Sequence, residues 1–332
     1  MTTPLISTRT MGSLGRAIEA TIGHGDLRTA IIASGLPGIS FYTHRAYLPH
    51  LGQLAFLAAV AERCEGTLAL KLAKHLCIDE YGAFGRYIHC GRTLGAALTR
   101  TVAAVPWHMS HDRASLSRRG DVVRLKLDTQ VRNAPGYRHY APMAAGVLRT
   151  VASPYVAKGA AARLIRIDSP RQGALSAWEQ LFGCEVRFDC DILSIDFDVE
   201  ALYSQRRGRP SQHITIEDVA RESSRQAPRD LVGTATELIR LAVLDGEVRL
   251  DAIAEQLRLG PRTFRRNLAA EGVSFRHLVS QLRAERAAEL LTDGSHTVQE
   301  VALLLGYSDA AHFVRAIKRD TGRTPGTLLS RT

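Results

Sequence analysis

At 332 residues, with 45% hydrophobic and 23% charged positions, the chain is long enough for two domains with a core in each, and its composition argues against wholesale disorder. No apolar run approaches the ~20 residues a membrane helix needs, and the opening MTTPLISTRTMGS has no apolar core of secretory length, so the cytoplasm is the expected compartment and no membrane partner is expected. The formal charge of +10 favours a polyanionic partner, yet residues 226–332 hold 15 Lys/Arg against 13 Asp/Glu, so local clustering of cations carries the signal and the domain total does not.

The first two hundred residues mix two periodicities. PHLGQLAFLAAVAERC, TLGAALTRTVAAV and RHYAPMAAGVLRTVASPYV have helical spacing of apolar residues. Between the last two stands DVVRLKLDTQV, where Val123, Leu125 and Leu127 alternate with Arg124, Lys126 and Asp128, the pattern of a half-buried strand. RLIRID, CEVRF and DILSIDFDV read as further strands, with a short helix at LSAWEQLF. The mixture predicts an α+β domain over residues 1–200. Cys64, Cys77, Cys90, Cys184 and Cys190 include no CxxC pair and read as small core residues of a reducing compartment.

Residues 201–227 are polar with little amphipathic pattern at their start and read as a linker. Arg207-Gly208-Arg209-Pro210 within it looks like the core of a minor-groove AT-hook, a tetrapeptide that chance also produces in basic linkers.

Residues 228–332 are predicted to be all helical. They contain an internal repeat of about fifty residues: AIAEQLRLGPRTFRRNL matches EVALLLGYSDAAHFVRAI, pairing Ala254 with Ala302, Leu257 with Leu305, Phe264 with Phe313 and Arg266 with Arg315, with a one-residue slip in the turn. This predicts two helix–turn–helix units, at about 250–270 and 298–320, joined by the helix SFRHLVSQLRAERAAELL. In each unit the first helix packs, through Ala254/Leu257 or Ala302/Leu305. The second turns Phe264/Leu268 or Phe313/Ile317 inward. Pro261 suits a first helical turn, Ser308 is the expected N-cap of the last helix, and Asp309 suits its positive end.

The outward faces then carry Arg262, Thr263, Arg265 and Arg266 in the first unit, and Ala310, Ala311, His312, Arg315, Lys318 and Arg319 in the second. A short helix with donors on its exposed face suits the major groove, where arginine grips guanine with two hydrogen bonds. A solvated basic face is the alternative for one such helix, and two in tandem favour double-stranded DNA. A rigid connector can hold two recognition helices about one DNA turn apart, ~34 Å.

These residues resemble the AraC/XylS transcriptional regulators over about 105 positions: LGYSDAAHFVRAIKRDTGRTP follows the family signature, and LRLGPRTFRRNLAAEGVSFRHLVSQLRAERAAELL follows the first unit with its connector. AFGRYIHCGRTLGAALTR and RLIRIDSPRQGALSAWEQLFGCEVRFDCDILSIDFDVEAL resemble the "arabinose-binding" domain of one branch of that family, a label that does not imply arabinose. The resemblance implies a sequence-specific DNA-binding regulator, an activator in most of the family, that is a homodimer on promoter half-sites and works with RNA polymerase. Its N-terminal domain is implied to sense a small-molecule effector of unknown identity or to dimerise, with no cofactor. By position, Arg262, Thr263, Arg265 and Arg266, with Ala310, Ala311, His312 and Arg315, fall on DNA-contacting places. Many relatives have polar groups where Ala310 and Ala311 stand, and alanine can touch a thymine methyl but donates no hydrogen bond. Specificity is therefore expected mainly from the first unit, with Lys318 and Arg319 on phosphates.

Two rivals remain at this level. One is an architectural DNA binder without a ligand. The other is an enzyme, but His108 and His111 offer no evident third metal ligand, no nucleotide or nucleophile motif appears, and the spacing of Cys64, Cys77 and Cys90 does not suit a fused methyl-acceptor domain. Arg86, Arg92, Lys126, Arg132 and Arg138 suit either an anionic ligand or a solvated surface.

Overall fold

The computed structural model describes residues 3–43, 45–156, 162–208, 212–223, 225–292, 296–322 and 324. They form two units, the larger spanning Pro4–Leu36 and Ser40–Pro228, the smaller formed mainly by Arg229–Thr332.

The larger unit opens with β1 (Leu5–Ser7), paired antiparallel to β2 (Tyr47–Pro49). The chain between them folds as α1 (Met11–Ile22) and α2 (His24–Ser34). Then come α3 (His50–Ala61), α4 (Leu68–Ala73), α5 (Ala83–His89) and α6 (Leu94–Ala104). The predicted strand at 121–131 is β4 (Val122–Asp128), and it pairs with β3 (Arg113–Arg119), which has no clear alternation in sequence. After α7 (Tyr137–Arg149) the chain forms β5 (Leu164–Arg166), α8 (Leu175–Phe182), β6 (Glu185–Arg187) and β7 (Leu193–Asp198). Among the described residues these strands make a five-stranded sheet of order β3-β4-β7-β5-β6, parallel only between β5 and β6, which α8 connects.

Period-two patterning sets the register. Val123, Leu125 and Leu127 lie opposite Phe197, Ile195 and Leu193, and Ile165 lies opposite Ile195. All seven are buried, so one sheet face is apolar and packs against α7. On the other face Asp196 accepts two hydrogen bonds from Arg124, at 2.7 and 3.0 Å, and one from Arg166 at 2.7 Å. A buried carboxylate is tolerable there because two guanidiniums hold it. Helix α7 contains Pro142, whose missing N–H frees the carbonyl of Arg138 four residues back; the Gln172 side chain donates to that oxygen at 3.0 Å.

The span expected as a linker, 201–227, contains a short helix, α9 (Ile216–Ser223), whose Val219 and Ser223 are buried. The Ala83 amide donates to the Glu222 carboxylate at 2.8 Å, and the Ala227 amide to the Pro106 carbonyl at 3.0 Å. These residues are thus part of the larger unit, which runs beyond position 200. Their apolar positions are too few for the helix to stand out by period. Arg209 and Pro210 of the tetrapeptide lie outside the described residues, and the Arg207 amide donates to the Pro154 carbonyl.

The smaller unit is all helix among the described residues: α10 (Leu231–Asp245), α11 (Leu250–Gln256), α12 (Pro261–Ala270), α13 (Phe275–Thr292), α14 (Val298–Leu304) and α15 (Ala310–Thr321). Helix α13 packs on α10, α14 and α15, and its Leu278, Leu282, Ala287 and Leu291 are buried. None of the described helices is long and apolar enough to cross a membrane.

Candidate nucleic-acid interface

The two helix–turn–helix units are built alike down to their turns. In the first, the Leu259 amide reaches the Ala254 carbonyl at 2.9 Å while the Arg258 amide reaches Glu255 at 2.8 Å. In the second, Tyr307 reaches Ala302 at 2.9 Å and Gly306 reaches Leu303 at 3.0 Å. This paired bonding closes a helix with one left-handed residue. That residue is Arg258 (φ 56°) in one copy and Gly306 (φ 77°) in the other.

The second helix of each unit starts differently. Pro261 opens α12, where its missing N–H is no loss. The cap of α15 is Asp309, whose side chain accepts from the His312 amide at 2.6 Å; Ser308, the expected cap, instead donates to Asp309 at 3.2 Å. The cap belongs to the residue whose backbone is extended just before the helix, and Asp309 (φ −159°, ψ 163°) has that geometry. The His312 amide holds the Asp309 carboxyl below its ordinary range.

The inward pairs are where the spacing put them. Phe264, Leu268 and Phe313 have no exposure, Ile317 has 1%, and Ala254, Leu257, Ala302 and Leu305 are buried beneath them. The outward residues divide more finely. Arg262, Arg265 and Arg266 are exposed on α12 and Thr263 is half-buried. On α15, Ala311, His312, Arg315, Lys318 and Arg319 are exposed and Ala310 is half-buried, with Lys318 and Arg319 in the last turn.

A cleft of about 330 Å³ opens between the start of α13 and α15, lined by Arg276, Ser280, Arg283, Tyr307, His312 and Arg319. Arg276, Ser280 and Arg283 share one face of α13 by their spacing of four and three. The arginine cluster was visible in the sequence, but Ser280 was not assigned, and that spacing was the available signal. The Arg283 guanidinium lies 5.3 Å from the centre of the Tyr307 ring, which meets Phe313 edge-on at 5.3 Å, so the connector braces the second turn.

The other candidate groups are dispersed. Arg86, Arg92, Arg132 and Arg138 are exposed and Lys126 half-buried; Arg86 pairs with Glu222 at 3.6 Å and Arg132 with Asp168 at 3.4 Å. His108 is buried against Tyr81, whereas the His111 ring lies 2.7 Å from the Ser110 hydroxyl. Among the described residues no three His, Cys, Asp or Glu side chains are placed to hold a metal.

A duplicated helix–turn–helix with cationic outer faces, braced by a connector helix, defines the class of bipartite helix–turn–helix proteins. Residues 253–331 match the family described as a helix-turn-helix domain, and residues 25–205 match the arabinose-binding domain of AraC transcription regulator, N-terminal. The chain belongs to the AraC family of transcription regulators. It is similar to the HTH-type transcriptional regulator VirS of Mycobacterium tuberculosis, 31% identical over 196 residues that cover 57% of this chain and 55% of VirS. It is also similar to the HTH-type transcriptional regulator VqsM of Pseudomonas aeruginosa, 40% identical over 88 residues, covering 26% and 27%. A third relative is the transcriptional activator AggR of Escherichia coli, 30% identical over 81 residues, covering 24% and 31%. The chain spans about half the length of VirS, the longest of these matches.

Proposed function

We propose that the protein binds promoter DNA as a sequence-specific regulator, placing α12 and α15 in successive major grooves. The observation that carries this reading is the repetition of one arrangement: Phe264/Leu268 and Phe313/Ile317 are wholly or almost wholly buried while arginines stand on the opposite faces. Repeated burial fixes each helix against the first helix of its own unit, so each presents its outer face outward. On α12, Arg262, Arg265 and Arg266 with Thr263 read base edges and grip phosphates. On α15, Ala310 and Ala311 offer only methyl contact, His312 and Arg315 supply the polar reach, and Lys318 and Arg319 neutralise phosphate. Arg276 and Ser280 of the α13 cleft join this phosphate-binding surface.

In this reading residues 228–332 bind DNA, and the α+β part senses a small molecule or pairs two chains. The regulator acts from the cytoplasm as a homodimer that meets RNA polymerase, and it carries out no enzymatic step. AggR, named an activator, supports activation as the direction of control. Selection of bound sites from random DNA, followed by footprinting, tests the interface. The expected pattern is two protected stretches per half-site, with centres about 10 base pairs apart. A single protected stretch per half-site would remove α15 from the groove.

A further inference from the structure

Inside the larger unit lies a cavity of about 70 Å³ that no step above uses. Its wall is mainly apolar, formed by side chains such as Leu14, Leu57, Ile78, Val105 and Met143. Two residues of that wall each carry a buried side-chain atom that lacks a partner. Gln53 is 3% exposed; its amide nitrogen is directed to Thr10 at 3.3 Å and Met11 at 3.6 Å, while Oε1 accepts nothing. His108 is 6% exposed, stacked on Tyr81 with ring centres 5.4 Å apart, and its Nδ1 has no partner. Buried polar atoms are nearly always paired, so two orphans on one apolar cavity point to something that occupies it.

We propose that this cavity binds a compact neutral molecule with an apolar body and a hydroxyl group, and that Glu222, Ser223, Arg225 and Ala227, which bond (Arg225 through Tyr47) to residues of its wall or their neighbours, respond to occupancy. The proposal deepens the sensor reading above and rests on it. The hydroxyl donates to Gln53 Oε1 and satisfies His108 Nδ1, and the body lies against the aliphatic wall. Charge argues for neutrality: burial, with Arg9 nearby, pushes the His108 imidazole well below its ordinary value, so it offers no cation to an acid. Arg9 does not line the cavity: its guanidinium lies over the Phe84 ring, with Nε donating to Ser7 at 3.0 Å and Nη2 to Ser223, while Nη1 has no partner. The volume suits a few carbon atoms, being about half that of engineered cavities that take benzene. An ordered water takes about two to four polar partners, so the two orphaned atoms meet only the lower limit for one, and the mainly apolar wall suits a carbon body better.

The same wall holds the chain that leads towards the helical unit. Between the cavity residues Val105 and His108, Pro106 accepts from the Ala227 amide and the Trp107 carbonyl accepts from the Tyr47 hydroxyl at 3.0 Å. That hydroxyl also reaches the Arg225 carbonyl at 2.9 Å. Ala83, beside the cavity residue Phe84, donates to Glu222, and Arg9 over the same ring donates to Ser223. A ligand that shifts Phe84 or His108 thereby shifts the groups holding Glu222, Ser223, Arg225 and Ala227.

The test uses the full chain and three small probes followed by ligand-observed NMR: 1-butanol, its isomer methyl propyl ether, and butyrate. Saturable 1-butanol binding, at least about fivefold tighter than the ether, is expected, since one net hydrogen bond is worth about 1 kcal/mol. Gln53→Leu should remove that preference, so that 1-butanol binds no tighter than the ether. Ala144→Leu, which fills the cavity from α7, should abolish both and covers the case in which the first variant folds poorly. Tryptic cleavage at Arg221 and Arg225 should change rate when 1-butanol is bound. Absence of saturable binding, butyrate binding tighter than 1-butanol, or a preference that survives Gln53→Leu would overturn the site. If 1-butanol binds but neither cleavage nor DNA affinity responds, the coupling is overturned and the cavity assignment stands. If another molecule controls DNA binding without competing with 1-butanol, the sensor reading survives and this site fails as its seat.

Discussion

Arg258 and Gly306 occupy equivalent turn positions in the two helix–turn–helix units, and both have left-handed backbones, with φ of 56° and 77°. An L-residue with a side chain is strained there by roughly 1–2 kcal/mol, partly relieved by the greater freedom glycine has when unfolded. Arg258→Gly should therefore stabilise the smaller unit by about 0.5–1 kcal/mol. Gly306→Ala should destabilise it by at least that much, because the new Cβ would also stand 3.2 Å from the Gly246 carbonyl oxygen. Denaturant midpoints of residues Arg229–Thr332 monitored within the full chain give the sign of each change.

The last helix should depend on Asp309 and hardly on Ser308. Asp309→Ala removes the bond to the His312 amide and should lower amide protection in the first turn of α15 and weaken DNA binding, while Ser308→Ala leaves both near the parent. Because Asp309 is held below its ordinary range in the folded chain, its contribution is complete above the unfolded carboxyl value and is lost as pH falls through the folded one. Hydrogen exchange resolved by residue would show the reverse ordering if Ser308 were the cap.

His50 and Asp112 form a buried pair 3.7 Å apart in the larger unit, and burial moves each towards its neutral form, His50 down to about 3 and Asp112 up to about 6. The signs follow by linkage. The His50 contribution is complete above its unfolded value near 6.5 and is lost as pH falls towards 3; that of Asp112 is complete below 3.8 and is lost as pH rises through 6. Asp112→Asn should thus stabilise the unit at pH 8, by an amount on the order of 2–3 kcal/mol, and the gain should vanish by about pH 4. Urea unfolding of parent and variant across that range measures the difference. A gain that does not change with pH would mean the carboxyl does not titrate in this window.

Lys318 is exposed in the last turn of α15, and the proposed interface puts it on phosphate. Lys318→Ala should weaken binding to cognate and random DNA by the same factor and reduce the salt slope by about one. A variant that changes the preferred sequence would instead place Lys318 on bases.

The sequence exposed the duplicated unit because its inward pairs recur at helical spacing around a similar turn, with Ala254, Leu257 and Phe264 matching Ala302, Leu305 and Phe313. The central strands were legible for a similar reason, since Val123, Leu125 and Leu127 alternate with polar residues. Strand β3 was not, because at a sheet edge its Arg, Ser and Leu are mostly exposed and show little apolar period. Helix α9 was hidden because its hold comes from distant partners, Ala83 for Glu222 and Arg9 for Ser223, which no local pattern announces. The orphaned atoms of Gln53 and His108 were equally invisible, since a missing partner is a property of packing. The cap at 308–309 was misread because two good capping residues adjoin and only backbone geometry chooses between them.

The interface itself is tested most directly by Arg262→Ala combined with Arg266→Ala in the full chain, with binding measured against every single-base variant of the selected site. The expected result is a loss of discrimination of about 1–3 kcal/mol for each bidentate contact removed, confined to the base pairs under α12, while discrimination under α15 is unchanged. An unaltered pattern of base preference in the double variant would contradict the assignment of α12 as the principal reading helix.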